Sequence, residues 1–162
     1  MPRTLLLSPM ALALAACMTT VPVGTRPAGA PVGGGGSASP GPEEVAELVN
    51  RHRQRVGCPA LVWDAGAARA AQAHSDDMAR RGYFAHASPE GTNVGQRLSA
   101  QGVRWRAIAE NLAEGPATAE GALRLWLASS GHRRNLESCT YTHHGVGLRG
   151  GRWTHVFFTP LD

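Results

Sequence analysis

From residue 43 onward, apolar positions recur at helical spacing, then at alternating spacing. Val45, Leu48, Val49 and Val56 share one face of a helix predicted over 43–56, with Glu43 and Glu44 in its first turn. His52 lies beside that face as a packing residue, and Gly57-Cys58-Pro59 ends the helix. Leu61-Val62-Trp63 reads as a short extended run, and Asp64 as the N-cap of a second helix over about 65–81. Ala67, Ala71, His74 and Met78 share its inner face, where the small residues allow close packing. His74 is read there as a satisfied core histidine. A loop follows over 83–91, punctuated by Pro89 and Gly91, and then a short helix carrying Val94 and Leu98 that ends at Gly102. Residues 106–113 read as a strand. Thr118 caps a helix whose stripe is Ala119, Ala122, Leu123, Trp126 and Leu127. Two last strands, 144–149 and 152–159, meet at Gly150-Gly151, a tight hairpin turn. In the second of these, Trp153, His155 and Phe157 face one way, while Val156 and Phe158 face the other. That strand is therefore expected to be central and covered on both sides. Helices ahead of a hairpin covered on both faces predict an α+β protein, a three-layer α/β/α sandwich around a small, mainly antiparallel sheet.

The first 42 of the 162 residues break this pattern. Residues 1–16 read as a signal peptide: Arg3 supplies the positive start, and the apolar run is too short to span a bilayer. The run ends in Leu14-Ala15-Ala16-Cys17, which resembles the lipobox of bacterial lipoproteins. That resemblance implies cleavage before Cys17, acylation of Cys17, and attachment to a membrane through the acyl chains. With Met18 next, it further implies an exported protein anchored at the outer membrane, facing the periplasm or the surface. Residues 17–42 read as a Pro/Gly-rich tether with no apolar period. The folded domain is expected over 43–162.

Charge narrows the chemistry. The net charge is +4, and every basic residue is Arg. Without Lys there is no Schiff-base lysine and no Walker phosphate loop. The arginines occur singly or in pairs, not as a stripe, so no nucleic-acid partner is expected. With Cys17 committed to lipid, Cys58 and Cys139 remain. In an exported chain a disulfide is their simplest use; the alternative, a reactive Cys beside a His, lacks an obvious helix N-terminus. The candidate chemistry lies in His86, Glu110 and His132. Glu110 falls on a predicted strand and His132 just past a helix end. Two His and one Glu are the minimum set for a divalent metal site or an acid/base pair. The structural alternative pairs Glu110 with Arg133 or Arg134.

Four stretches carry a family likeness: Pro59-Ala60-Leu61-Val62-Trp63-Asp64; His74 to Ala79 running on to Phe84-Ala85-His86-Ala87-Ser88-Pro89-Glu90-Gly91; Glu110-Asn111-Leu112-Ala113; and Trp126 to Asn135 with Gly145-Val146-Gly147 and Trp153-Thr154. Together they resemble the CAP superfamily of cysteine-rich secretory, antigen 5 and pathogenesis-related proteins, in a bacterial single-domain form. The resemblance implies a cleft lined by His and Glu that can hold zinc or another divalent cation. His86 matches the first cleft His, and Glu110 the Glu of the family's Gly-Glu-Asn, with Ala109 in place of the Gly. The family's second Glu falls near Ser129 and its second His near Arg152, so both are absent; His132, in Gly131-His132-Arg133, is read as the replacement. His155 is a further cleft candidate, able to point either into the cleft or into the core. The expected function is a monomeric, membrane-tethered domain binding a metal, or a small-molecule, lipid, glycan or peptide ligand. The alternative is a metal-assisted, peptidase-like hydrolase with Glu110 as its catalytic candidate.

Overall fold

The computed structural model describes residues 40–161. The signal segment, Cys17 and the tether up to residue 39 lie outside the described residues. Helix α1 spans Pro40–Arg55, so it begins three residues before the expected boundary. The first turn of a helix has no intrahelical use for its N–H groups, so proline is tolerated there. Gly41 sits so close to the Trp153 ring that an added Cβ would lie 3.0 Å from it.

Strand β1 is only Val62–Trp63. Helix α2, Ala65–Arg81, starts where the Asp64 carboxylate accepts a 2.7 Å bond from the Ala67 N–H. Helix α3, Val94–Ala100, opens with a reciprocal capping box between Asn93 and Gln96. Strand β2 covers Trp105–Glu114 and helix α4 Ala119–Ala128, the latter capped by Thr118. A helix that the apolar pattern did not predict, α5, runs over Ser130–Glu137. Strands β3, His143–Arg149, and β4, Arg152–Pro160, form the hairpin. Gly150 and Gly151 take φ of 54° and 75°, the pair of positive values that a two-residue turn between twisted strands requires.

The sheet order is β1-β3-β4-β2. β4 lies inside, antiparallel to both β3 and β2, while β1 joins β3 in parallel. On one face α1, α4 and α5 cover Val146, Trp153 and Phe157, with Val45, Val49, Trp126 and Leu136 packed against them. On the other face α2 and α3 cover Val156 and Phe158 with Ala67, Ala70, Ala71 and Leu98. The fold is therefore the expected α+β sandwich around a mainly antiparallel sheet, with β1 as its parallel strand. The α2 layer lies so close that a Cβ on Gly145 would fall 2.1 Å from the Ala68 nitrogen, and one on Gly147 2.3 Å from that of Gln72. Only glycine allows that spacing.

A disulfide joins Cys58 to Cys139, with Cα atoms 5.1 Å apart. Beside it the fully buried Arg53 donates to four backbone carbonyls, those of Pro59, Leu136, Ser138 and Tyr141, at 2.8–3.1 Å. Bridge and guanidinium together fasten the end of α1 to the end of α5, which sets where α5 sits.

Candidate functional site

Glu110 lies midway along β2, paired across the sheet with Val156, so its side chain points to the α2/α3 face. It is 7% exposed, and both carboxylate oxygens are engaged. Oε2 accepts a 2.7 Å bond from Arg97 Nη2 of α3, and Oε1 lies 2.9 Å from His86 Nδ1. A carboxylate held by a guanidinium is an acceptor, so the imidazole donates from Nδ1 and turns Nε2 outward. The His86 side chain is 60% exposed, so that nitrogen is open to solvent.

The loop that carries His86 is fixed from three sides. His74 Nε2 meets the Ala85 carbonyl at 2.9 Å. Arg97 donates to the carbonyls of His86 and Thr92 at 3.0 and 2.9 Å. Arg81 of α2 pairs with Glu90. His74 is thus the satisfied core histidine expected. Burial, then the nearby Arg97, lowers its pKa and keeps it neutral. Asp77 ties the same corner, accepting from Tyr83 Oη at 2.7 Å.

His132 comes from the other layer, near enough to His86 to feel its charge. It lies in α5 rather than past a helix end, as its local sequence suggested. Asn111, buried next to Glu110, points to the opposite sheet face, donates to the His132 carbonyl at 2.9 Å and accepts from Asn135 at 2.8 Å. Adjacent β2 residues thus serve the two layers: Glu110 orients His86, and Asn111 seats the turn of α5 that carries His132. Burial, then the charge of His86, lowers the His132 pKa.

Two open points are decided and one expectation changes. The Glu110 partner is Arg97, not Arg133 or Arg134. His155 faces the core, not the cleft: it is fully buried, 3.8 Å in ring separation from Phe157, and bonded at 3.1 Å to His144. The three-donor metal set does not assemble. Among the described residues no three His, Cys, Asp or Glu side chains converge to hold a metal ion. Glu110 would have to leave both Arg97 and His86 to become a ligand. His86 and His132 remain as two imidazoles near enough for the charge of one to act on the other, with Glu110 behind the His86 ring. Arg97 carries the site and was missed by sequence reasoning. Its one signal is its place beside Leu98 on the short helix, where a cation has to find an acid or a carbonyl.

Residues 46–159 match the profile of the cysteine-rich secretory protein (CAP) family. The chain is similar to the uncharacterized protein YkwD of Bacillus subtilis, 35% identical over 117 residues, covering 71% of this chain and 46% of that protein. It is also similar to the uncharacterized membrane protein YlbC of Bacillus subtilis, 36% identical over 119 residues, covering 71% of this chain and 33% of that protein. Among solved structures, an extracellular SCP-domain protein of Bacillus anthracis superposes with a TM-score of 0.70 at 36% identity, over 72% of this chain and 39% of the other. The chain therefore spans less than half the length of these relatives.

Proposed function

The chain belongs to the cysteine-rich secretory protein (CAP) family, and from that premise we propose that it is an exported, envelope-tethered binding domain. Its cleft, built on His86, Glu110, Arg97 and His132, receives an extracytoplasmic ligand. The export and tether rest on the lipobox-like Leu14-Ala15-Ala16-Cys17 and on the extracellular and membrane descriptions of the relatives. One observation carries the choice of binding over hydrolysis. Both oxygens of Glu110 are already committed, to Arg97 at 2.7 Å and to His86 at 2.9 Å. A carboxylate so held orients an imidazole; it is not free to activate water. The working groups are the outward Nε2 of His86 and the His132 ring. A divalent cation such as zinc would rest on these two imidazoles and supply a Lewis-acid contact for an anionic or carbonyl-bearing ligand. Without a cation the same imidazoles hydrogen-bond such a ligand directly.

Calorimetric titration of zinc into the full chain, beside a His86→Ala/His132→Ala variant, tests this reading. Saturable binding by the parent and its loss in the variant support it. Equal binding by both proteins contradicts the cleft assignment. The hydrolytic reading has its own test. Peptide or envelope-polymer turnover by the parent, abolished in a folded Glu110→Gln variant, would establish hydrolysis in place of simple binding.

A further inference from the structure

On the sheet face opposite Glu110, between α1 and β1, lies a second cavity of about 310 Å³. Ala46 and Leu61 give it an apolar lining, Trp63 a wall, and Glu43 and Glu47 its carboxylates. Trp63, on the edge strand β1, is 38% exposed and stands edge-on to the His144 ring at 5.6 Å. His144 also lines the cavity and is 1% exposed. Its Nδ1 is bonded to His155, and its Nε2 has no partner among the described residues. Asn50 adds no free polarity, because its amide is spent on both backbone groups of Leu61, at 2.7 and 3.0 Å. Glu43 has no basic partner among the described residues, and Glu47 has only a loose, exposed 3.4 Å contact with Arg51.

The cavity thus combines an aromatic wall, negative charge at the mouth and an apolar floor with one open imidazole nitrogen. We propose that it is a binding site for a small quaternary ammonium alcohol. A cation is favoured by the carboxylates and by the Trp63 ring. A quaternary cation is favoured over a primary one, because its methyl groups can leave water for the Trp63 ring and the apolar Ala46 and Leu61 lining, whereas a strongly hydrated primary ammonium gains little there. A hydroxyl suits the His144 Nε2, since it can donate or accept. Burial keeps the His144 imidazole neutral, so it does not oppose the cation. This site is separate from the His86–Glu110 pair: Glu110 lies on β2, at the sheet edge opposite β1, and points to the other face.

Choline is the probe, read by the Trp63 indole cross-peak in a nitrogen–proton correlation spectrum of the full chain. Its neutral carbon isostere, 3,3-dimethyl-1-butanol, is the control for charge, and ethanolamine the control for the quaternary centre. The expected result is a saturable shift of Trp63 with choline, none with the isostere, and a weaker one with ethanolamine. A Glu43→Gln/Glu47→Gln variant, altered only at exposed positions of α1, weakens choline binding about fivefold. No Trp63 shift with choline overturns the proposal. So does an equal response to the isostere, or affinity unchanged in the double variant.

Discussion

Arg97 Nη2 lies 2.7 Å from Glu110 Oε2 in a pair from which water is almost excluded, with side-chain exposures of 10% and 2%. The guanidinium also holds the backbone of His86 and Thr92. One side chain therefore balances the cleft carboxylate and pins the loop carrying the cleft imidazole. Arg97→Met strands a buried carboxylate and is expected to cost about 3–5 kcal/mol. Glu110→Gln added to Arg97→Met removes the stranded charge and recovers part of that loss. Urea unfolding of the two variants and the parent checks both statements; equal stability of Arg97→Met and the parent would remove the pair from the account.

Glycines on β3 and in α5 are expected to respond in opposite directions. Gly145→Ala drives a methyl into the α2 backbone, 2.1 Å from the Ala68 nitrogen, and should cost about 3 kcal/mol or more. Gly131 in α5 has nothing nearer than 3.9 Å to an added Cβ, so Gly131→Ala should stabilise by about 0.5–1 kcal/mol. Thermal unfolding of the two variants reads both signs.

The disulfide links positions separated by 81 residues. A Cys58→Ser/Cys139→Ser variant is expected to lose about 4–5 kcal/mol in the chain-entropy description. Alkylation and intact mass with and without reductant should find both thiols closed in the exported protein, and chemical denaturation gives the loss.

Acid sensitivity follows from the buried pair His144 and His155. Burial first, then neighbouring positive charge, lowers both pKa values: that of His144 to about 4 and that of His155 well below its ordinary value. In the unfolded chain both take up a proton near pH 6.5, while in the folded chain both stay neutral. The unfolded state therefore binds more protons, and stability falls as pH drops from about 6.5 toward about 4. The slope is up to about 1.4 kcal/mol per pH unit for each histidine. His74 and His132, also lowered, add in the same direction. A His155→Gln variant keeps a hydrogen-bonding group beside His144, does not titrate, and should show a shallower slope in unfolding free energy against pH.

Much of this arrangement was legible in the residues themselves. Gly150-Gly151 between two alternating runs marked the hairpin, and Cys58 and Cys139 were the two thiols an exported chain would pair. Asp64 and Thr118 marked two helix starts. Helix α5 was not legible because Leu136 is its only buried residue, so it leaves no apolar period to read. It stands because Arg53, the disulfide and Asn111 hold it. The orientation of His155 was open because both faces of β4 are apolar, and alternation alone does not say which layer covers which face. The Glu110 partner was not legible because Arg97 meets it only through the packing of the short helix α3 against β2, a tertiary contact that no local pattern announces.

Glu110 holds His86 by Nδ1 and so turns its Nε2 toward the cleft opening. The most direct measurement is the ring-nitrogen spectrum of His86 in chain labelled with nitrogen-15 histidine, before and after one equivalent of zinc. The expected result is a proton on Nδ1 and a bare Nε2 whose resonance moves when zinc is added. A proton resident on Nε2, with no change on adding the cation, would contradict it.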